Sequence, residues 1–185
     1  MLEMLKYLGI VNSIFAFMYH FICVKANKDF DFKKHPFCYC GNSSKTKKFY
    51  NPCLAISGIL QVIFYIILVL ALEIPNPHLE ISLFVIAGVA LVVASIFQYG
   101  NHKKIHTIAS RVIFVSAIIG ALIFHIKLLF LSQLIGIVGV IFLAVLFAGS
   151  FILGKKYKLM SGVSETFLLS MIIIWNLIFS YVLLA

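Results

Sequence analysis

Six long apolar stretches take up most of this 185-residue chain, and its charged residues fall almost entirely between them. A transmembrane helix needs about 20 mainly apolar residues, because it rises about 1.5 Å per residue through a hydrocarbon layer about 30 Å thick. The stretches that approach or meet this length are residues 7–24, 53–72, 81–99, 108–126, 131–153 and 166–184. The sequence therefore predicts an integral membrane protein with six spans.

The apolar stretches also predict the fold class. In hydrocarbon every backbone N–H and C=O needs a partner within the protein, and uninterrupted apolar runs indicate helices rather than the alternating strands of a barrel. A composition of 63% hydrophobic and 11% charged residues excludes a soluble domain. The longest hydrophilic stretch, residues 25–52, is too short for a separate domain of about 50 residues. We predict an all-α bundle of six transmembrane helices that forms one domain over residues 1–185.

Basic residues predict the orientation of this bundle. Short cytoplasmic loops collect Lys and Arg, and thirteen of the fifteen basic residues fall on one side of the predicted spans: Lys25, Lys28, Lys33, Lys34, Lys45, Lys47, Lys48, Lys103, Lys104, Arg111, Lys155, Lys156 and Lys158. Both termini should then face outward, in a multi-pass protein of the cell membrane. No small-x-small cleavage site follows residues 8–23, so we expect a retained first helix rather than a signal peptide. The net charge of +9 is explained by topology, and no nucleic-acid partner is predicted.

The inner loop after the first span contains imidazole and thiol groups that could bind a metal ion. His35, Cys38 and Cys40 offer nitrogen and sulfur ligands for zinc, and His102 and His106 are spaced to share one helix face. Against this, Cys-x-Cys lacks the usual two-residue spacing, and no HExxH motif is present. These histidines could instead bond to water or headgroups, so a metal site stays an alternative.

Haem is a weaker alternative, and no cofactor is predicted. With His20 as the inner partner and His78, which lies in a short connection rather than on a span, as the outer partner, His106 and His125 could each ligate a haem iron. Nineteen residues of helix separate them, however, which turns the two side chains onto faces about 100° apart.

Few ionisable residues fall within the spans, and the strongest candidates group near the inner surface. Arg111 lies about one turn into the fourth span, and Glu165 begins the sixth span at the same surface, so the two could form an ion pair between helices. Alternatively, Arg111 extends to the headgroups. With His35 and His106 at the same depth, we predict a polar inner-face site of His35, His106, Arg111 and Glu165.

Uncharged polar and small residues in the spans predict helix packing rather than transport. Asn12, Gln61 and Asn176 are amides of the kind that hydrogen-bond between helices. No series of acids crosses the membrane, which disfavours a coupled transporter. Close helix approach is expected at the small residues Ala87, Gly88, Ala90, Ala94, Ala117, Gly120, Ala121, Gly136 and Gly139.

A series of motifs resembles a known family. The inner loop runs His35-Pro-Phe-Cys-Tyr-Cys-Gly41, with Asn51 and Gly58 entering the second span; His106 opens the fourth span, and Gly162-Val-Ser-Glu165 precedes a last span that contains Trp175. This order resembles domain of unknown function 998 (DUF998), a prokaryotic family of small six-span proteins that is similar to the wider DRAM/Sfk-like group. Cysteine replaces the usual loop serine, and Thr166 stands where the family often has arginine.

The resemblance implies a six-helix bundle in the cell membrane with no established biochemical activity, and some members of the wider group are linked to lipid organisation. It singles out His35, His106 and Glu165. We therefore expect a non-enzymatic protein whose basic inner face engages membrane lipids, through their headgroups, or a membrane-protein partner. The alternatives are a metal-dependent membrane hydrolase that uses the His/Cys cluster and an accessory subunit of a larger membrane complex.

Overall fold

The computed structural model of the chain describes residues 7–157 and 161–184. Every regular element in those residues is a helix, so the predicted all-α fold is confirmed. The elements are α1 (Leu8–Ala26), α2 (Cys38–Asn42), α3 (Lys47–Ala71), α4 (His78–Ile96), α5 (Lys103–Leu131), α6 (Gln133–Tyr157) and α7 (Gly162–Leu184). Of these described helices, all except the short α2 are long and apolar enough to cross a membrane, which gives the six predicted spans.

Several helices extend beyond the apolar stretches that predicted them. Helix α3 begins at Lys47 rather than at residue 53, and α5 runs from Lys103 to Leu131 rather than over residues 108–126. Apolarity defines only the part of a helix that can lie in hydrocarbon, because a helix end in water can carry charged side chains. Pro52 lies inside the early part of α3, where its missing N–H removes one backbone hydrogen bond without ending the helix.

The six long helices of the described chain form a closed ring. Each packs against the next along the chain, skipping α2, and α7 packs back against α1. Small residues allow close approach, as predicted: a Cβ atom on Gly88 of α4 would overlap Val62 of α3, and one on Gly120 of α5 would lie 3.1 Å from Phe84 of α4. The ring therefore encloses space that no helix fills.

The connections and helix ends that carry most of the lysines meet at one end of the ring, which we term the basic end. Gly100 N–H, between α4 and α5, donates to Asn42 Oδ1 of α2 at 2.9 Å. Val163 N–H of α7 donates to Phe32 O, in the connection between α1 and α2, at 2.9 Å. These bonds tie the segment 27–46 to the connection between α4 and α5 and to the start of α7.

The outer surface of the ring is apolar. Val89, Ile108 and Phe151 are 58%, 62% and 63% exposed, and such side chains suit contact with acyl chains rather than water. Inside, one buried cluster near the basic end contains Tyr19 and Tyr50, and a second toward the opposite end contains Phe124 and Trp175. The core therefore comes in two parts, and a cavity adjoins the part near the basic end.

Candidate functional site

A cavity of about 230 Å³ lies inside the ring, and we term it the central cavity. It is lined from the basic end by Cys38, His106 and Glu165, and farther along the helices by Gln61 and Asn176. Between these polar ends the lining is mainly aliphatic: Leu54, Leu91, Ile113, Leu168, Leu169, Ile172 and Ile173. The cavity therefore has an apolar middle and a polar group at each end.

The polar end farther from the basic end is an amide network between α1, α3 and α7. Asn12 Nδ2 donates to Gln61 Oε1 at 2.6 Å, and Gln61 Nε2 donates to Asn176 Oδ1 at 2.8 Å. Ser57 Oγ donates to Asn12 Oδ1 at 2.9 Å, and Asn176 Nδ2 donates to Ser13 Oγ at 3.2 Å. The predicted role of the amides in joining helices is confirmed. Because these groups bond to one another, they are poorly placed to bind a ligand.

At the basic end the cavity is bordered by an aromatic cluster of Tyr19, His20, Phe37 and Tyr50. The His20 ring lies 4.6 Å from the Phe37 ring and 5.5 Å from the Tyr50 ring, each edge to face. His20 Nδ1 donates to the Ala16 carbonyl at 2.8 Å, and its Nε2 lies 3.3 Å from the Tyr50 hydroxyl, which can donate to it. Both ring nitrogens thus have partners, and a neutral histidine satisfies both bonds.

Glu165 lies in the first turn of α7, where the helix dipole favours a carboxylate. Its Oε2 accepts a hydrogen bond from Phe37 N–H, which ties the segment before α2 to α7. No cationic side chain pairs with this carboxylate within residues 7–157 and 161–184. Glu165 therefore places an acidic side chain on the wall of the cavity without a cationic partner from the described residues.

His106 serves both helix packing and the cavity. Its Nδ1 lies 3.0 Å from the carbonyls of Ala94 and Phe97, at the end of α4, so Nδ1 must carry a proton. In the neutral ring Nε2 is then an acceptor. The histidine joins α4 to α5 and adds a second acceptor to the lining of the cavity.

The structure brings together half of the predicted inner-face site. Glu165 and His106 line the same cavity, whereas His35 and Arg111 do not. The His35 ring stacks on Tyr39 with ring centroids 4.4 Å apart, and its Nδ1 accepts from Asp31 N–H at 3.1 Å.

The predicted Arg111–Glu165 ion pair is not formed. Arg111 is exposed on α5 and has no acidic partner in the described part of the chain. The reason is helix rotation: its neighbour Ser110 lines the cavity, and one residue along a helix turns the side chain by about 100°. The alternative, in which Arg111 extends to headgroups, fits this exposure.

The proposed metal ligands His35, Cys38, Cys40, His102 and His106 do not assemble. Among the described residues, no group of three His, Cys, Asp or Glu side chains is placed to hold a metal ion. His102 is exposed, whereas Cys40 is buried beside Asn27. Burial, with a smaller effect of the nearby Glu165, raises the pKa of the Cys38 thiol to about 12. Since the thiolate is the metal ligand and the nucleophile, Cys38 is poorly suited to either role near neutral pH.

A groove on the outer face of the ring, between α1 and α7, was not predicted from the sequence. This α1/α7 groove has a volume of about 270 Å³ and is lined mostly by apolar side chains. The charged residue Lys25 also contributes to the lining. It shares four lining residues with the central cavity: His20, Phe37, Leu169 and Ile173. Those side chains form a wall one residue thick between the cavity and the outer face. The hydropathy of the sequence does not predict this groove, because the faces of α1 and α7 that line it are mainly apolar, like the rest of these helices.

The sequence model of a family described as protein of unknown function (DUF998) matches residues 10–182. The chain belongs to the DUF998 family. The matched region includes all the residues that line the cavity and the groove, and the predicted resemblance is confirmed. Neither the curated proteins nor the solved structures gave a match. Similarity to the DRAM/Sfk-like group stays a prediction.

Two further polar contacts of this DUF998 protein lie away from the cavity. Lys127 Nζ of α5 is 2.5 Å from Glu80 Oε1 of α4, and it donates to the carbonyls of Pro75 and Asn76 at 2.9 and 2.8 Å. The sequence contained a signal for this pair, because Glu80 and Lys127 carry opposite charges at neighbouring ends of two consecutive spans. The other contact is a hydrogen bond of 2.9 Å from Trp175 Nε1 to His125 Nε2, which joins α7 to α5.

Proposed function

We propose that this DUF998 protein is a non-enzymatic membrane protein that binds one amphipathic lipid in its central cavity. The observation that supports this most directly is the wall shared by the cavity and the α1/α7 groove. A molecule dissolved in the bilayer reaches the groove without passing through water, and only four side chains separate it from the interior. Ligand sites are typically concave, mainly apolar and supplied with a few polar groups, which describes this cavity.

The order of groups along the cavity matches the order of groups in a bilayer lipid. Glu165 and His106 stand at the basic end, near the membrane surface, and aliphatic side chains follow toward the middle of the helices. A lipid with its polar group beside Glu165 would place its chain along Leu168 and Ile172. The bound lipid would then have the same orientation as the lipids of the surrounding bilayer, with its polar group near the membrane surface.

The seam between α1 and α7 is the proposed route into the cavity. Among the wall residues, Leu169 and Ile173 belong to α7, His20 belongs to α1, and Phe37 belongs to the segment held by Glu165. Side-chain rotation at this seam opens the wall without breaking a helix. The lipid would therefore exchange sideways with the bilayer.

Filling the cavity tests the proposal. Ser110→Phe places a large side chain into the cavity from α5, whereas Val115→Phe places the same side chain on the outer face, where Val115 is 56% exposed. We expect wild type and Val115→Phe to purify in mild detergent with about one tightly held lipid per chain, and Ser110→Phe to lose it, as measured by native mass spectrometry and lipid analysis. Equal lipid content in the two variants would contradict a site in the cavity.

We further propose that the protein lies in the cell membrane with its basic end in the cytoplasm and both termini outside. The distribution of lysine and arginine supports this orientation, and the same residues attract anionic headgroups. With Cys38 and Cys40 replaced by serine, a membrane-impermeant thiol reagent added to whole cells should label a cysteine placed at Glu73 but not one placed at Lys45. Labelling of the Lys45 site in sealed cells would refute the orientation.

A further inference from the structure

The basic end of the central cavity contains an acidic side chain, although the surface around it is positive. Glu165 lines the cavity, and no lysine or arginine does so among the described lining residues. Arg111 faces outward, and a neutral His20 ring satisfies both of its hydrogen bonds. An anionic group such as a lone phosphate would therefore meet a carboxylate with no cation beside it.

The same end of the cavity is rich in acceptors and aromatic rings. The second oxygen of the Glu165 carboxylate has no hydrogen-bond partner in the described chain, and the His106 ring lines the same end. Tyr19, Phe37 and Tyr50 are buried at the same end, with the Tyr19 and Tyr50 rings 5.6 Å apart and edge to face. Aromatic rings with a carboxylate form a common setting for organic ammonium groups, which are attracted to the ring faces.

We propose that the ligand of this site is an amphiphile whose ammonium group pairs with Glu165 and whose chain occupies the aliphatic part of the cavity. This inference rests on the proposed function and specifies its ligand. The ammonium supplies a positive charge, which no lysine or arginine provides among the described lining residues. Such a group is found both in free long-chain amines and in the headgroup of an aminophospholipid.

Charge selectivity of the full-length protein tests the inference. Purified protein is titrated in detergent with dodecylammonium, dodecanol and dodecyl phosphate, which share one chain and differ in charge, and bound molecules are counted by native mass spectrometry. We expect one dodecylammonium per chain, with at least about tenfold weaker binding of the other two. Equal or tighter binding of dodecanol or dodecyl phosphate overturns the ammonium assignment but leaves lipid binding intact. Failure of all three to bind, or binding unaffected by Ser110→Phe, contradicts the proposed function itself.

The variant Glu165→Gln tests whether the carboxylate of Glu165 binds the ammonium group. Glutamine keeps an oxygen that accepts from Phe37 N–H, so the bond to the segment before α2 survives while the charge is removed. We expect this variant to bind dodecylammonium at least about tenfold more weakly and dodecanol as well as wild type does. Glu73→Gln is the matched control, since Glu73 is exposed at the opposite end. Unchanged amine binding by a folded Glu165→Gln protein refutes the pairing. If that variant does not fold, the relative affinities of wild type for dodecylammonium, dodecanol and dodecyl phosphate decide the question.

A competition experiment identifies the source of the ammonium group. Protein loaded with dodecylammonium is reconstituted into vesicles of phosphatidylglycerol with or without phosphatidylethanolamine. Loss of the bound amine only in the vesicles that contain phosphatidylethanolamine supports the aminophospholipid headgroup as the ligand. Retention in both supports a free amine.

Discussion

Lys127→Met should be among the most destabilising single substitutions in this protein. Glu80 is fully buried, and its one charged contact in the described structure is the Lys127 ammonium at 2.5 Å. Removing one member of a buried ion pair leaves the other charge uncompensated, which typically costs about 3–5 kcal/mol. Lys127 also donates to the carbonyls of Pro75 and Asn76, so the turn between α3 and α4 loses two bonds. Thermal unfolding in detergent measures the effect.

Two further variants separate the ion pair from a general effect of losing a lysine. Lys104→Met removes an exposed lysine near the other end of the same helix and should change the unfolding temperature little. Adding Glu80→Gln to Lys127→Met removes both charges and should recover part of the lost stability. If Lys127→Met and Lys104→Met unfold alike, Glu80 does not depend on Lys127.

Gly139→Ala should disrupt the packing of α6 on α5 and change the fluorescence of the protein. A Cβ atom on Gly139 would overlap the imidazole of His125, which is fully buried and accepts the hydrogen bond from Trp175. Overpacking costs about 1–3 kcal/mol, and loss of a buried hydrogen bond adds about 1–3 kcal/mol. Since Trp175 is the sole tryptophan of the chain, its emission reports the displacement of His125 directly.

Val138→Leu is the control for this substitution, because it adds one carbon to a neighbouring side chain that is 41% exposed on the outer face of α6. Its unfolding temperature and emission spectrum should match those of wild type. An unchanged Trp175 emission maximum in Gly139→Ala would mean that His125 keeps its position and that the overlap is relieved elsewhere.

The sequence predicts the membrane spans of this protein well because the bilayer imposes a simple rule on them. A run of apolar side chains must cover the hydrocarbon, and this holds whichever way each helix faces. The amides Asn12, Gln61 and Asn176 were also interpreted correctly, since a polar group in hydrocarbon has few choices besides another helix. The helix ends were not predicted, because α3 and α5 begin with charged residues such as Lys47 and Lys103, where hydropathy no longer marks the helix.

The candidate site was predicted less well because it depends on helix rotation. Depth along the membrane placed Arg111 and Glu165 together, but depth does not tell which face of a helix points inward. Ser110 lines the cavity and Arg111 does not, although they are neighbours in the chain. In a soluble helix an alternation of polar and apolar faces would have fixed this rotation. A helix that is apolar on both faces gives no such signal, so the cavity, its wall and the groove became visible only in three dimensions.

Closure of the ring by α1 and α7 has a consequence for biosynthesis. Chains are made from the N-terminus, so α1 and α3 enter the membrane well before α7 is synthesised. Until then Gln61 and Ser13 lack the partner that Asn176 supplies, and the cavity has no wall on that side. The last helix therefore completes the amide network and encloses the cavity in one step. A lipid that lies beside α1 at that moment would be enclosed during assembly, so the proposed lipid would enter the cavity before the wall between α1 and α7 is complete.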